Sequence, residues 1–308
     1  MAHLLPNSSL TRRRFAAALV FAAALALPQA GFAQGDPLFA THFAADYRMV
    51  PNVTYLTAGG VDLKLDVYQR LGVEGPQPTM IYMHGGFWVA GTKEAALGNF
   101  LPWLEMGWNV VNVEYRLGPV ALAPAAMEDC MCALRWVAQN ADRYNFDLNK
   151  IVTYGQSAGG HLALALGVIP ESEGFALECA GPPLPKVAAI INWAGVSDVP
   201  DVISGPNMEF AAARWFGSMP DRLDLAARLS PIHYLRADLP PIVSVHGDQD
   251  NVVPYAQSVR LHKELDRLGV PNRLITVPGA GHSSHGAAQR EVIYKALREF
   301  FAEQGLLP

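Results

Sequence analysis

Apolar positions along the chain come in short runs of two kinds. Asn52 to Thr57 and Val61 to Tyr68 alternate apolar and polar residues on either side of Ala58-Gly59-Gly60, which predicts an opening hairpin. Further on, near 79–83, 108–114, 150–154, 187–193, 241–245 and 272–277, the apolar residues are nearly continuous, as in strands buried on both faces. Between these runs, helical spacing marks segments near 94–106, 124–140, 158–168, 255–269 and 287–303. Strand and helix in alternation predict an α/β fold: a mostly parallel central sheet with helices on both faces. In such a sheet, reacting groups belong at the C-terminal ends of the strands. No repeat or low-complexity linker divides residues 34–308, which are expected to form a single domain. Only 194–235 breaks the alternation, at Gly205-Pro206 and Met219-Pro220, and is read as a small segment covering a pocket.

Four strand ends carry candidate chemistry. Ile151-Val152-Thr153-Tyr154 runs into Gly155-Gln156-Ser157-Ala158-Gly159 and then a helix-like run. A serine on such a strand-to-helix turn projects its hydroxyl beyond the sheet. With 27 glycines in 308 residues the motif alone is weak, so its context decides. Thr79 to Met83 leads into His84-Gly85-Gly86-Phe87-Trp88, whose backbone N–H groups can face a developing oxyanion. Pro241 to Val245 ends in His246-Gly247-Asp248-Gln249-Asp250, and Arg273 to Val277 ends in Pro278-Gly279-Ala280-Gly281-His282. The chain order is therefore Ser, Asp, His.

This set resembles the α/β-hydrolase fold of bacterial serine esterases and lipases with an HGG-type oxyanion loop, close to the hormone-sensitive-lipase-like and feruloyl-esterase-like groups. The resemblance runs from about Val61 to the C-terminus and includes Glu114-Tyr115-Arg116-Leu117 and Ser230-Pro231-Ile232. It implies a carboxylesterase-type enzyme working through an acyl-enzyme, with Ser157 as nucleophile, His282 as general base and Asp250 as its orienting acid. Gly85, Gly86 and Ala158 are the implied oxyanion donors. Phe87 replaces the third glycine of the HGGG form, which leaves open whether its own N–H takes part. Asp248 competes for the acid role; its alternative is a turn-capping side chain. His285 competes with His282, but the turn before His282 can carry that ring back over the sheet. Phe87, Trp88 and Trp215 are the candidate substrate-binding residues, with a core or loop-bracing role as the alternative for the two tryptophans.

His84, His161 and His246 read as structural histidines, and no spacing suggests a metal site. Nothing in the sequence requires a cofactor. The implied partner is an ester, either a small molecule or one linked to polysaccharide, with short-chain, acetyl or aromatic acyl groups. An amidase or aryl-formamidase is the enzymatic alternative, and a non-catalytic binding protein on the same scaffold is a further one.

The net charge of −5 gives no basic field for nucleic acid, and 51% apolar with 17% charged residues suits a packed enzyme. Thr11-Arg12-Arg13-Arg14 precedes an apolar stretch, Phe15 to Leu27, and the small residues of Gly31-Phe32-Ala33. Residues 1–33 thus read as an export signal, of twin-arginine type or its Sec counterpart, too short in its apolar part for stable membrane insertion. The expected location is periplasmic or secreted. Of the three cysteines, Cys130 and Cys132 point different ways on one helix, and either can meet Cys179. The odd count makes buried free thiols the expectation and a disulfide the alternative.

Overall fold

The computed structural model describes residues 39–308 apart from 283 and 284. The expected export segment therefore lies outside the described residues. A short helix α1 (Phe39–Asp46) leads into β1 (Tyr47–Ala58) and β2 (Val61–Arg70), the hairpin expected around Gly59-Gly60. Then follow β3 (Gln77–Met83), α2 (Leu97–Glu105), β4 (Asn109–Val113), α3 (Ala125–Gln139), α4 (Ala141–Tyr144), β5 (Phe146–Gln156) and α5 (Ala158–Val168). After β6 (Ala189–Trp193) come three short helices, α6 (Val199–Ile203), α7 (Phe210–Phe216) and α8 (Arg222–Arg228). The chain closes with β7 (Ile242–Gly247), α9 (Ala256–Leu268), β8 (Asn272–Val277) and α10 (Ala287–Glu303).

The strands form one sheet in the order β1-β2-β4-β3-β5-β6-β7-β8. The pairs β1–β2 and β2–β4 are antiparallel, and every later pair is parallel. Pleating sends alternate residues of the buried strands to opposite cores. Ile81, Met83, Ile190 and Ile242 pack with α3, α5 and α9 on one face. On the other face, Met80, Tyr82, Ile191 and Val243 pack with Phe100 and Trp103 of α2 and Leu297 and Phe301 of α10. That division is why these strands read as unbroken apolar runs.

The cysteines depart from expectation. Cys132 and Cys179 form a disulfide, with Cα atoms 5.6 Å apart, and only Cys130 is a buried free thiol. The reason is a long-range contact that spacing does not reveal. Arg135, one turn after Cys132 on α3, donates to the carbonyls of Ala176 and Cys179 and pairs with Glu171. These bonds press the 171–180 loop onto the face of α3 that Cys132 presents. Cys130, two residues earlier, is buried in the same core without a disulfide partner.

Candidate active site

Ser157 stands between β5 and α5 at φ 57°, ψ −120°, a conformation that side-chain-bearing residues rarely adopt. Its neighbours hold it there: its N–H donates to the Trp193 carbonyl at 2.8 Å, and its own carbonyl accepts from His161 N–H at 3.0 Å. The flanking glycines are required by close approach. A Cβ on Gly155 would lie 2.1 Å from the Gly159 carbonyl oxygen, and one on Gly159 would lie 2.1 Å from that of Met83. The turn thus brings the elbow against the end of β3 at backbone contact distance.

His282 reaches the serine from the loop after β8. Its Nε2 lies 2.9 Å from Ser157 Oγ and its Nδ1 lies 2.7 Å from Asp250 Oδ2. A carboxylate accepts, so Nδ1 carries the proton and Nε2 is left to take one from the serine. Asp250 follows β7, and its side chain is fully buried. The N–H groups of Val252 and Val253 donate to its Oδ1 at 2.8 and 2.9 Å. Burial by itself would raise the Asp250 pKa; hydrogen bonds from His246, His282 and Val252 outweigh it and hold the carboxyl well below the usual carboxylate range.

Asp248, the rival acid, does not reach His282. Its Oδ1 accepts the Gly279 N–H at 2.7 Å, which ties the loop carrying His282 back to the end of β7. His285, the rival base, is buried and meets the Trp193 indole N–H through Nε2 at 3.2 Å. It precedes α10, whose first residue is Ala287, rather than opening it.

The loop after β3 lies beside the serine. A Cβ on Gly85 would be 3.3 Å from Ser157 Cβ, and Gly86 adopts φ 127°. The bonds closing this turn run from Val89 and Ala90 N–H to the Gly86 carbonyl, each 3.0 Å, so the N–H groups of Gly86 and Phe87 take no part in them. Phe87 and Trp88 follow with φ of 54° and 60°. His84 braces the turn: its Nδ1 donates to the Gly85 carbonyl at 2.8 Å, and its ring stacks on Tyr115 at 4.4 Å. Ala158, at the opening of α5, has an N–H without an intrahelical acceptor, next to the positive end of the helix dipole.

A narrow pocket opens beside Ser157 and Ala158. Phe87, Trp88, Val252 and Val253 line it, together with Val202 of α6 and Ala212 of α7. The segment expected to cover a pocket thus contributes walls to this one. Trp215 does not. It is completely buried and stacks face to face behind Trp88 at 4.5 Å, so it supports the wall without forming its surface. His161, buried on α5, accepts the Trp88 indole N–H through Nδ1 at 3.1 Å and donates from Nε2 to the Leu229 carbonyl at 2.7 Å. Burial pushes its pKa down to about 4 against the opposing bond to Leu229, so the ring is neutral at pH 7.

Two further residues belong to this environment and were not among the sequence candidates. Among the described residues, Glu209, just before α7, is the one charged residue lining the pocket, and its carboxylate has no hydrogen-bond or ion-pair partner. Its place depends on the path of an irregular segment, which no periodicity reveals. His246 is treated below; its adjacency to the acid was visible in the His-Gly-x-x-Asp run. Among the described residues, no group of three or more His, Cys, Asp or Glu side chains is arranged to hold a metal ion. No described helix is long and apolar enough to cross a membrane.

A family model described as BD-FAE matches residues 65–265, and one described as a TAP-like protein matches 226–308. The chain belongs to the BD-FAE family, within the α/β-hydrolase serine esterases. Esterase LipC of Mycobacterium tuberculosis is 28% identical over 231 residues, 71% of this chain and 56% of the relative. The chain thus spans little more than half the length of that protein. Among solved structures, a truncated carbohydrate esterase from gut microbiota superposes with a TM-score of 0.71 at 29% identity, covering 84% of this chain and 96% of that one. The propionate-bound esterase Est2 of Thermogutta terrifontis gives 0.70 at 27% identity, covering 83% and 94%.

Proposed function

We propose that the protein is a serine carboxylic-ester hydrolase in which Ser157, His282 and Asp250 act as the catalytic triad. The observation that carries the reading is the continuous chain of hydrogen bonds from Asp250 Oδ2 through His282 to Ser157 Oγ, at 2.7 and 2.9 Å. Ser157 Oγ attacks the ester carbonyl while its proton passes to His282 Nε2. Asp250, held ionised, stabilises the imidazolium without taking the proton. The negative charge on the former carbonyl oxygen is met by N–H groups of Gly85, Gly86 and Ala158. Collapse breaks the bond to the alcohol, which leaves with the proton from His282. Water, deprotonated by the same ring, then releases the acid and restores Ser157.

The acyl group is short. The pocket at Ser157 is narrow, and Phe87, Trp88, Val202, Ala212, Val252 and Val253 make most of its lining apolar. Acetyl to butyryl esters suit it, and a feruloyl group would need more room. The structure of a related esterase with propionate bound supports the same acyl size. The carbohydrate esterase among the structural relatives favours an acetylated sugar as the natural alcohol part. Export through residues 1–33 would place the enzyme outside the cytoplasm, and the Cys132–Cys179 disulfide suits an oxidising compartment.

The test is hydrolysis of p-nitrophenyl esters from acetate to decanoate, with acetylated xylan and a matched anilide, by wild type and Ser157→Ala. Turnover is expected to fall steeply beyond butyrate and to vanish in the variant. Retention of full ester turnover by Ser157→Ala would refute the triad. Faster turnover of the anilide than of the ester would replace the esterase with an amidase.

A further inference from the structure

The triad as written does not use His246, yet this histidine is fully buried against the acid. Its Nε2 lies 3.0 Å from the Val253 carbonyl oxygen and 3.2 Å from Asp250 Oδ2. Both are acceptors, so Nε2 carries the hydrogen, and one N–H faces the two of them. In the neutral ring Nδ1 must then accept, and Ser258 Oγ stands 2.7 Å from it. Ser258 lies on α9, almost completely buried, and donates its hydroxyl hydrogen inward. Tyr255 packs edge-on against the ring at 5.6 Å.

We propose that His246, with its tautomer set by Ser258, is a positioning residue that holds Asp250 Oδ2 in line with His282. The inference rests on the triad reading above. Asp250 is gripped from two sides: Oδ1 by the amides of Val252 and Val253, Oδ2 by His282 and His246. The backbone amides fix one oxygen, but they leave the carboxylate free to tilt about that anchor. The His246 N–H, rooted in β7, removes the tilt. Ser258 matters because flipping the tautomer would turn a bare Nε2 toward two acceptors and push Asp250 away.

The experiment measures kcat and KM separately on p-nitrophenyl acetate for His246→Leu, His246→Gln and Ser258→Ala, with Ser157→Ala alongside. Leucine keeps apolar bulk and removes the donor, whereas the glutamine amide returns an N–H near the position of Nε2. For His246→Leu, kcat is expected to fall about 10- to 100-fold with KM little changed, well short of the ~10⁴-fold cost of disabling a triad acid. His246→Gln should recover most of that loss, and Ser258→Ala should lose about 3- to 10-fold in kcat.

Wild-type kcat in folded His246→Leu overturns the proposal. So does a glutamine variant as impaired as the leucine one, since packing alone would then explain the loss. If the leucine variant does not fold, Ser258→Ala decides: unchanged kcat overturns the proposal and a selective fall in kcat upholds it. Activity surviving in Ser157→Ala would instead overturn the triad itself, which separates the two failures.

Discussion

Replacing Asp250 by Asn keeps size and shape and changes only what the side chain can donate and accept. The amide oxygen must stay on the Oδ1 side, because the Val252 and Val253 N–H groups need an acceptor there. The amide nitrogen then faces His282 Nδ1, 2.7 Å away, and donates where the carboxylate accepted. His282 is thereby driven to the tautomer with hydrogen on Nε2, which cannot take the proton of Ser157 at 2.9 Å. The same nitrogen also confronts the His246 N–H at 3.2 Å, donor against donor. The loss expected from a wrong tautomer is about 10⁴-fold in kcat, or roughly 5.5 kcal/mol of transition-state stabilisation. Stability should respond as well. The Asp250 pKa is depressed in the folded protein, so its contribution is complete above the unfolded carboxylate value of about 4 and fades as pH falls through the folded value. Asp250→Asn should therefore lose stability relative to wild type at pH 7 and show less of the acid-dependent decline. Steady-state kinetics on p-nitrophenyl acetate and urea unfolding at pH 7 and below 4 measure both. Asp248→Asn keeps an acceptor for Gly279 N–H and should stay within about tenfold of wild type. A larger kcat loss at Asp248 than at Asp250 would refute the assignment.

Breaking the Cys132–Cys179 disulfide opens a loop of 47 residues, for which chain entropy gives about 4 kcal/mol; urea unfolding of Cys132→Ser/Cys179→Ser should show a loss of that order. Gly159→Ala places a methyl 2.1 Å from the Met83 carbonyl oxygen, so the variant should be inactive and markedly less stable by thermal melting; near-normal melting and turnover would contradict the close elbow–β3 contact. Enlarging Ala212 to Leu fills the acyl pocket and should lower kcat/KM for butyrate more than for acetate, while Val202→Ala should shift the preference toward longer chains; an unchanged chain-length profile in both would place the acyl group elsewhere.

Much of this arrangement was legible because it is local. Gly155 to Gly159 and His84 to Trp88 sit where a strand run stops, and a tight turn needs residues close in sequence. Asp250 is already preferred to Asp248 in the sequence; the fold separates the two, with Asp250 bonded to His282 and Asp248 accepting the Gly279 N–H. Trp215 was misplaced because a helical aromatic next to a pocket segment reads the same whether it faces the pocket or backs its wall; stacking on Trp88 decides it. The preference for free thiols over a Cys132–Cys179 bond, and the omission of Glu209, have one reason: each depends on an irregular loop brought to distant residues by bonds that leave no periodic trace.

The indole pair of Trp88 and Trp215 joins parts of the chain with separate tasks. Trp88 belongs to the loop after β3 and Trp215 to α7, while His161, packed against both, belongs to α5. The Gly118 N–H bonds the Trp88 carbonyl at 2.8 Å, and the Ala123 N–H bonds that of Trp215 at 2.9 Å, which clamps the pair through a third segment. The loop beside Ser157, a segment that lines the pocket and the helix after the serine therefore meet in one packed aromatic unit. Substitutions at Val202, Ala212 or Val252 would alter the pocket lining and leave the indole pair in place. A substitution at either indole would instead disturb all three segments at once.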